Sequence, residues 1–293
     1  MPAVDLLTAG EAFEDLIFVD LPRIPAAGEE VKTSRFVRSV GGGAVITAVA
    51  AARLGLRCSV VSGLSPAAVD LLRREKVRVT DLRRPAEQHA ITAALSTRTN
   101  RSFVTFNGVN DVLEPRLVTP ARQASARHVH CAFFPARCAR WEPVVAELRR
   151  RGITTSWDFG WNEGLMNDAR FLPLIASLDY VFMNQQEAVM YARARGLGPA
   201  YAFWRSYART AIVKLGQQGS RWIAPDLELE EPARQVRVVD TTGAGDAFNG
   251  GFLAARLRRQ GPQASLRAGN RVGALSTRAA GGIDALPRSR VPR

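Results

Sequence analysis

Short apolar runs alternate with amphipathic stretches along most of the chain. Residues 57–63, RCSVVSG, are continuously apolar enough for a buried strand. Residues 66–77, PAAVDLLRREKV, place apolar side chains at helical spacing behind Pro66, a residue suited to the first turn of a helix. The pairing recurs with HVHCAFF (128–134) as a strand and WEPVVAELRRRG (141–152) as a helix closed by Gly152. ITTSWDFG (153–160), LDYVFMN (178–184) and TAIVKLG (210–216) follow as strands, with helical stretches between most of them. Such alternation predicts an α/β fold with a mostly parallel central sheet and helices on both faces. Ligands in these sheets gather beyond the carboxyl ends of the strands.

Two stretches depart from that rhythm. Residues 11–40 contain no helical pattern, and 89–108 alternate by twos around a turn at Arg98-Thr99-Asn100, with Arg98 and Arg101 flanking it. Two strand-rich insertions in one α/β unit predict a small sheet covering a site. The tail ALPRSRVPR (285–293) reads as loosely held.

Near the C-terminus, RQVRVVD (234–240) predicts a buried strand ending at Asp240, and DAFNGGFLAARLRR (246–259) predicts a helix with Phe248, Phe252 and Ala255 on one face. Gly250 and Gly251 are costly inside a helix, so they predict close packing against a neighbour. Between strand and helix lies Thr241-Thr242-Gly243-Ala244-Gly245. The first amides of a helix lack internal partners, and glycines let a phosphate approach them, so the segment reads as an anion hole of main chain. Asp246 then has two readings. An acid in the first helical turn stabilises it by about 0.3–1 kcal/mol. Alternatively, Asp246 is a general base that takes a substrate hydroxyl proton while the amides beside it hold the phosphoryl group under attack. The helix terminus is expected to lower its pKa and keep it ionised. Rival phosphate motifs fail. There is no G-x-x-x-x-G-K-[ST], GAGDAF ends on Phe248 where a dinucleotide fingerprint needs glycine, and WDFGW has no H-R-D-x-x-x-x-N before it.

Composition narrows the rest. The 293 residues are 46% hydrophobic and 23% charged, an ordinary globular balance. The formal net charge is +13, and of 40 basic residues only Lys32, Lys76 and Lys214 are lysines, leaving 37 arginines. They are scattered over helical pieces such as LRREKVR and ELRRRG, as solvated faces are, and no zinc-finger spacing or aromatic-interleaved stripe points to nucleic acid. A basic chain still attracts an anionic ligand such as a nucleotide. No apolar run reaches bilayer length, and the acid-bearing N-terminus lacks the basic start of a secretory signal. Cys58, Cys131 and Cys138 read as buried thiols of a cytoplasmic protein. His128 and His130 alternate on a strand but lack a third ligand at metal-binding spacing.

DTTGAGDAF closely resembles the C-terminal motif of the ribokinase-like (PfkB) carbohydrate kinases. GGGAVITAVAAARLG (41–55) is similar to the family's N-terminal glycine motif, NQQEA to its Asn-x-x-Glu element, VKLGQQGS to its Leu-Gly-x-x-Gly hairpin, and AGNRVGALSTRAAGG to the helix that closes over adenine. These elements occur in the family's order across nearly the whole chain. The resemblance implies one ribokinase-like domain over residues 1–293, with lid insertions over approximately 12–40 and 89–110. It implies an ATP-dependent kinase acting with Mg²⁺ on a sugar-like hydroxyl. Asp246 is then the base, with Gly243, Ala244 and Gly245 as the anion hole. Asn184 and Glu187 act near the phosphates, Glu187 reaching Mg²⁺ through water. Lys214, Gly216, Gly219, Thr241 and Asn270 line the nucleotide. Asp15, Gly42, Gly43 and Asp158 meet the substrate, and Asp240 and Thr242 stand where some members hold a monovalent cation such as K⁺.

The chain also departs from the family pattern. Ile46 replaces an asparagine that binds sugar hydroxyls in many members, and isoleucine cannot make those bonds. LSPAAVD replaces a longer Gly-Asp-rich loop, and Phe159 and Trp161 make the neighbourhood of Asp158 aromatic. Trp157 and Trp161 are open to stacking on a ligand or to packing. A nucleoside kinase of the same fold and a non-catalytic ligand sensor therefore stand as alternatives to a sugar kinase. Two copies pairing through an apolar lid face is a further expectation.

Overall fold

A computed structural model describes residues 2–97 and 100–288. Arg98 and Thr99 of the expected turn lie outside the described residues, as does the tail beyond Arg288. The elements in chain order are β1 (Val4–Gly10), β2 (Phe13–Val19), β3 (Arg35–Gly41), α1 (Gly43–Arg53), β4 (Cys58–Ser62), α2 (Pro66–Arg74), β5 (Arg78–Asp81), β6 (Ile91–Ser96), β7 (Arg101–Phe106) and α3 (Glu114–Arg122). There follow β8 (Ala126–Ala132), α4 (Glu142–Arg150), β9 (Thr154–Asp158), α5 (Phe171–Ser177), β10 (Tyr180–Asn184), α6 (Gln185–Tyr191), α7 (Leu197–Tyr207), β11 (Ala211–Lys214), β12 (Ser220–Ala224), β13 (Leu227–Glu231), α8 (Ala244–Leu257) and α9 (Pro262–Ser276).

Among the described residues the main sheet has nine strands in the order β13-β12-β11-β10-β9-β8-β1-β4-β5. Every neighbouring pair from β11 to β5 is parallel, and the β12–β13 hairpin adds an antiparallel edge. Burial on both faces explains the continuous apolar runs. One core joins the sheet to side chains of α3 to α7, including Leu117, Leu148, Leu174 and Trp204. The other joins it to α1, α2, α8 and α9 through Val49, Leu72, Phe252 and Leu266. A second sheet, of four strands in the order β3-β2-β6-β7, arises from the two strand-rich insertions.

Local chemistry sets the element ends. Ser65 caps α2 by accepting the Ala68 amide at 3.1 Å, with Pro66 in the first turn. Gly243 opens α8 in the left-handed region at φ 70°, which glycine adopts without strain. Gly250 of α8 fits against α1: a Cβ there would lie 2.6 Å from Ala50 Cβ and 2.7 Å from the Thr47 carbonyl oxygen.

Two expectations are corrected. Residues 234–240 form no strand, and Val238 and Val239 are about half exposed at 48% and 53%. The β12–β13 hairpin already takes the sheet edge, so the segment returns from that edge to α8 as a connection, its Val239 and Asp240 amides donating to the Thr277 carbonyl at 2.7 and 3.0 Å. The start of the tail is not loose. Leu286 is buried, and Arg53 donates to the carbonyls of Ile283 and Leu286 at 2.8 and 3.1 Å. The three cysteines are buried free thiols, as expected. Among the described residues no helix is long and apolar enough to cross a membrane.

Gly250→Ala, which in an open helix would stabilise by about 1 kcal/mol, is expected here to destabilise the protein by about 1–3 kcal/mol. Urea unfolding checks the sign, and a gain in stability contradicts the packing.

Candidate active site

The parallel register delivers the polar side chains to one edge. Asp158 ends β9, Asn184 ends β10 and Lys214 ends β11, with Phe182 opposite Asp158 and Asn184 opposite Lys214. The N-terminus of α8 lies over these ends. Lys214 Nζ is 3.0 Å from where a Cβ on Gly245 would stand, so the ammonium lies against the helix opening. No side chain caps α8. Its first amide groups are thus presented for an anion, and the macrodipole adds positive potential.

Lys214 Nζ donates to Asp158 Oδ2 at 2.6 Å, and Asn249 Nδ2 donates to the same oxygen at 2.8 Å. Burial alone would raise the Asp158 pKa, but Lys214 and Asn249 outweigh it and hold the carboxyl below its ordinary value. Burial alone would lower the Lys214 pKa, and the carboxylates of Asp158, Glu187 and Asp246 push it above its ordinary value instead. Glu187 is raised, first by burial and then by Asp158.

Asp246 corrects the sequence expectation. Its carboxyl is part-exposed at its surface yet largely enclosed by protein, and its pKa is pushed up to about 7. Burial is the main cause, with Asp158 and then Glu187 adding repulsion that Lys214 only partly offsets. These terms exceed the lowering expected from the helix terminus. Asp246 Oδ1 lies 3.0 Å from where a Cβ on Gly43 would stand, and Thr47 Oγ1 donates to the Asp246 carbonyl at 3.1 Å. Gly42 sits at φ 96°, where a side chain would strike the Glu11 carbonyl. The Gly42–Gly43 turn therefore brings bare main chain close against the carboxylate, with no room for a side chain at either glycine.

Asp15 projects from β2 over Gly41, where any side chain would strike its carboxyl. Burial and then Asp240 push its pKa up to about 7. Asp240 braces the turn before α8, its two oxygens accepting the amides of Thr242 at 2.7 Å and Gly281 at 2.9 Å. Asn184 and Glu187 form a capping box on α6. Asn184 Oδ1 accepts the amides of Gln186 and Glu187 at 2.8 and 2.9 Å, and Glu187 Oε2 accepts the Asn184 amide at 2.8 Å. Gly216 has φ 59° with open space on its Cβ side, while a side chain on Gly219, at φ 107°, would strike the Glu231 carbonyl. Asn270 is committed to the chain itself, donating to the carbonyls of Glu231 at 2.8 Å and Pro232 at 3.2 Å. Thr241 is exposed and Thr242 half-buried.

The geometry thus joins Gly43, Asp158, Glu187, Lys214 and Gly243 to Asp246 in one cluster and sets Asp15, Gly42 and Asp240 beside it. Gly216, Gly219 and Asn270 belong to a separate group around the β12–β13 hairpin and α9. The sequence reading missed Asn249. Its signal was a polar residue three positions after Asp246, on the same face of an otherwise apolar helix. Ile46 is buried, its Cδ1 2.5 Å from where a Cβ on Gly243 would stand and 2.6 Å from the same point on Gly282. It supports the Gly243 turn from beneath. The aromatic neighbourhood also turns inward: Trp157 and Phe159 are buried and stacked at 4.9 Å, and only Trp161 is exposed. His128 and His130 are buried among Thr154 and Ser156 hydroxyls at 2.7–2.8 Å, with pKa values lowered by burial, and among the described residues they join no metal-binding group.

Comparison with known proteins fits this arrangement. Residues 5–289 match the family described as pfkB family carbohydrate kinase. The chain belongs to that family. It is therefore a kinase, a phosphotransferase with an alcohol group as acceptor. Among its relatives, the ATP-dependent ribose-1-phosphate kinase of Halopiger xanaduensis is 29% identical, the match covering 93% of this chain and 92% of the relative. The ribokinase of Bacillus subtilis is 28% identical, with 97% and 96% covered. The kinase also shares its fold with the Arabidopsis thaliana ribokinase solved with ribose and ATP, at a TM-score of 0.78 and 20% identity over 98% of this chain and 96% of that one. The two-sheet architecture is thus the ribokinase fold.

Asp158→Asn is expected to lower the Asp246 pKa from about 7. The change removes a repelling negative charge and frees Lys214 to face Asp246, and both effects favour the ionised form. Carboxyl ¹³C NMR titration reads the midpoint directly. An unmoved or raised midpoint would show that Asp158 does not set it.

Proposed function

We propose that this carbohydrate kinase transfers the γ-phosphoryl group of ATP to a sugar hydroxyl held over Gly42 and Gly43, with Asp246 as general base. The observation that carries the reading is the Asp246 carboxylate lying against Gly43, its Oδ1 3.0 Å from where a Cβ there would stand, beside an uncapped helix end. The substrate hydroxyl donates its proton to Asp246 as its oxygen attacks phosphorus. The amides of Gly243, Ala244 and Gly245 and the Lys214 ammonium balance charge on the phosphoryl oxygens. A carboxylate with pKa near 7 is a stronger base than an ordinary aspartate and still substantially ionised at neutral pH. Asp15, with its raised pKa, is poised to accept from further sugar hydroxyls.

In this reading Lys214, Gly216, Gly219 and Thr241 line the nucleotide side. Asn270 shapes it by fixing the Glu231–Pro232 carbonyls. Mg²⁺ fits the carboxylate corner. Its preference for oxygen donors, retained waters and substrate phosphates suits Glu187, whose Oε2 is engaged with Asn184 and which would reach the ion through water. When bound, Mg²⁺ would neutralise phosphate charge. A monovalent cation such as K⁺ would bind at Asp240 and Thr242, sharing the Asp240 oxygens with the two amides already there. Residues 12–40 and 89–110 act as the lid of one kinase domain, with Asp15 on the inner face of the small sheet.

The outer face of that sheet carries Leu16, Phe18, Phe36, Val104 and Phe106, of which Phe36, Val104 and Phe106 are at least half exposed. A second copy of the chain covers this face in the proposed dimer. Light scattering is expected to give a dimer for the native protein and a monomer for the Val104→Lys, Phe106→Lys double variant. A native monomer would end that proposal.

Asp246→Asn is expected to keep ATP binding and lower kcat by roughly 10²–10⁴-fold, read as ADP release across a panel of sugars. Retained turnover would reject Asp246 as base. The same variant is expected to raise Tm more at pH 8 than at pH 4. A carboxyl whose pKa rises on folding binds more protons in the folded state, so its ionisation costs stability as pH climbs from about 4 to 7.

A further inference from the structure

A recess of about 400 Å³ opens beside the Gly42–Gly43 floor. Two stretches of chain that line it adjoin that floor. Glu11, which lines it, has its carbonyl against the Cβ side of Gly42. Phe133, on the other wall, follows Ala132, whose Cβ lies 2.8 Å from where a Cβ on Gly43 would stand. That point is itself 3.0 Å from Asp246 Oδ1. A molecule presenting a hydroxyl to Asp246 can therefore extend its other end into the recess.

The recess offers carboxylates and amide groups, with Asn162 Nδ2 as a side-chain donor, and no cationic side chain among the described residues. Asn110 is 9% exposed, and its Nδ2 donates to the Ala12 carbonyl at 3.3 Å. That carbonyl can only accept, so it fixes which end of the amide is oxygen. Asn110 Oδ1 is then buried without a hydrogen-bond partner. Leaving such a group unsatisfied costs about 1–3 kcal/mol, which a ligand donor would remove. The Glu11 amide donates to the Ala132 carbonyl at 3.3 Å, but its carboxyl has no hydrogen-bond or ion-pair partner among the described residues. Burial and then Asp111 push its pKa up to about 7. Asp111 accepts only from Asn107 Nδ2, at 3.0 Å. The other two acids of the recess are already engaged. Glu114 accepts the Ala136 amide at 2.9 Å and Trp141 Nε1 at 3.0 Å and pairs with Arg140, while Asp168 accepts the Cys138 and Arg170 amides at 2.8 Å. No lysine, arginine or histidine lines the recess among the described residues. Phe134, 46% exposed, also lines the recess, beside Phe133, whose ring packs on Trp141 and Trp157 in the core.

Unpaired carboxylates, an orphaned amide oxygen and an aromatic wall together select an organic cation. We propose that the recess receives an ammonium group carried by the sugar substrate, held by Glu11, Asn110 Oδ1 and Asp111. The preferred acceptor is then an amine-bearing polyol, and a phosphosugar is disfavoured because its phosphate would face two carboxylates with no cation beside them. The assignment rests on the kinase reading for where the reacting hydroxyl sits.

The test pairs amine-bearing sugars with their hydroxyl parents, 2-amino-2-deoxyglucose against glucose and positional isomers likewise, and sets ribose 1-phosphate against ribose. Each is followed by ADP release and by calorimetric binding without nucleotide. The expected result is at least one amine favoured over its parent by about tenfold or more in both readouts, equivalent to about 1.4 kcal/mol. Ribose 1-phosphate is expected to bind more weakly than ribose. In the isosteric Glu11→Gln, Asp111→Asn variant, which removes a repulsion and should fold, the amine-to-parent ratio falls toward one. A preferred phosphosugar, no preferred amine, or an unchanged ratio in the variant overturns the assignment. Preferential amine binding without ADP release from any compound would keep the recess and reject the kinase mechanism. ADP release from neutral sugars alone would do the reverse.

Discussion

One ammonium group holds the polar centre together. Among the described residues Lys214 is the only cationic side chain set between Asp158, Glu187 and Asp246, and its bond to Asp158 at 2.6 Å fixes where the other charges can stand. Removing two ions from water is expensive, and such a pair persists when further hydrogen bonds satisfy it, as Asn249 does here. The sheet register places each partner at a strand end. The Gly245 position, which has no side chain, lets the ammonium reach the opening of α8. An arginine in its place would bring a planar fork too broad for that contact.

A second balance operates between the sheets. Asp15 belongs to the small sheet and Asp240 to the loop that braces α8, and burial followed by the Asp240 charge makes Asp15 harder to ionise. Three carboxyls around the floor, Glu11, Asp15 and Asp246, have pKa values near 7 because burial outruns neutralisation. Stability is surrendered at the site for reactivity, and the apolar cores on both faces of the main sheet make up the deficit.

Much of this was legible in the sequence. Runs such as RCSVVSG and LDYVFMN are strands because burial on two faces demands continuous apolar character, and the two insertions announced themselves by lacking helical spacing. The chemistry of Asp246 was only half legible. Local reasoning sees the helix terminus, whereas burial, and then the charges of Asp158 and Glu187 from elements distant in sequence, reverse the sign of the shift. RQVRVVD read as a buried strand because it is rich in valine, but strand formation also requires a vacant sheet edge, and β13 had taken it. Trp157, which the sequence left open to stacking or packing, packs: its ring and that of Phe159, just past the end of β9, stack in the core beside Phe133.

The near absence of lysine has a practical consequence. Lys32 and Lys76 are exposed, and Lys214 is the enclosed third of the three side-chain amines, its side chain 14% exposed. An acylating reagent would therefore label the two exposed amines first and be slowed at the third, whose ammonium is paired with Asp158. Modification at Lys214 would strip the cation from Asp158, and protection of that one amine would follow the opening and filling of the site. With arginine carrying most of the positive charge, side-chain amine chemistry reports on only these few positions.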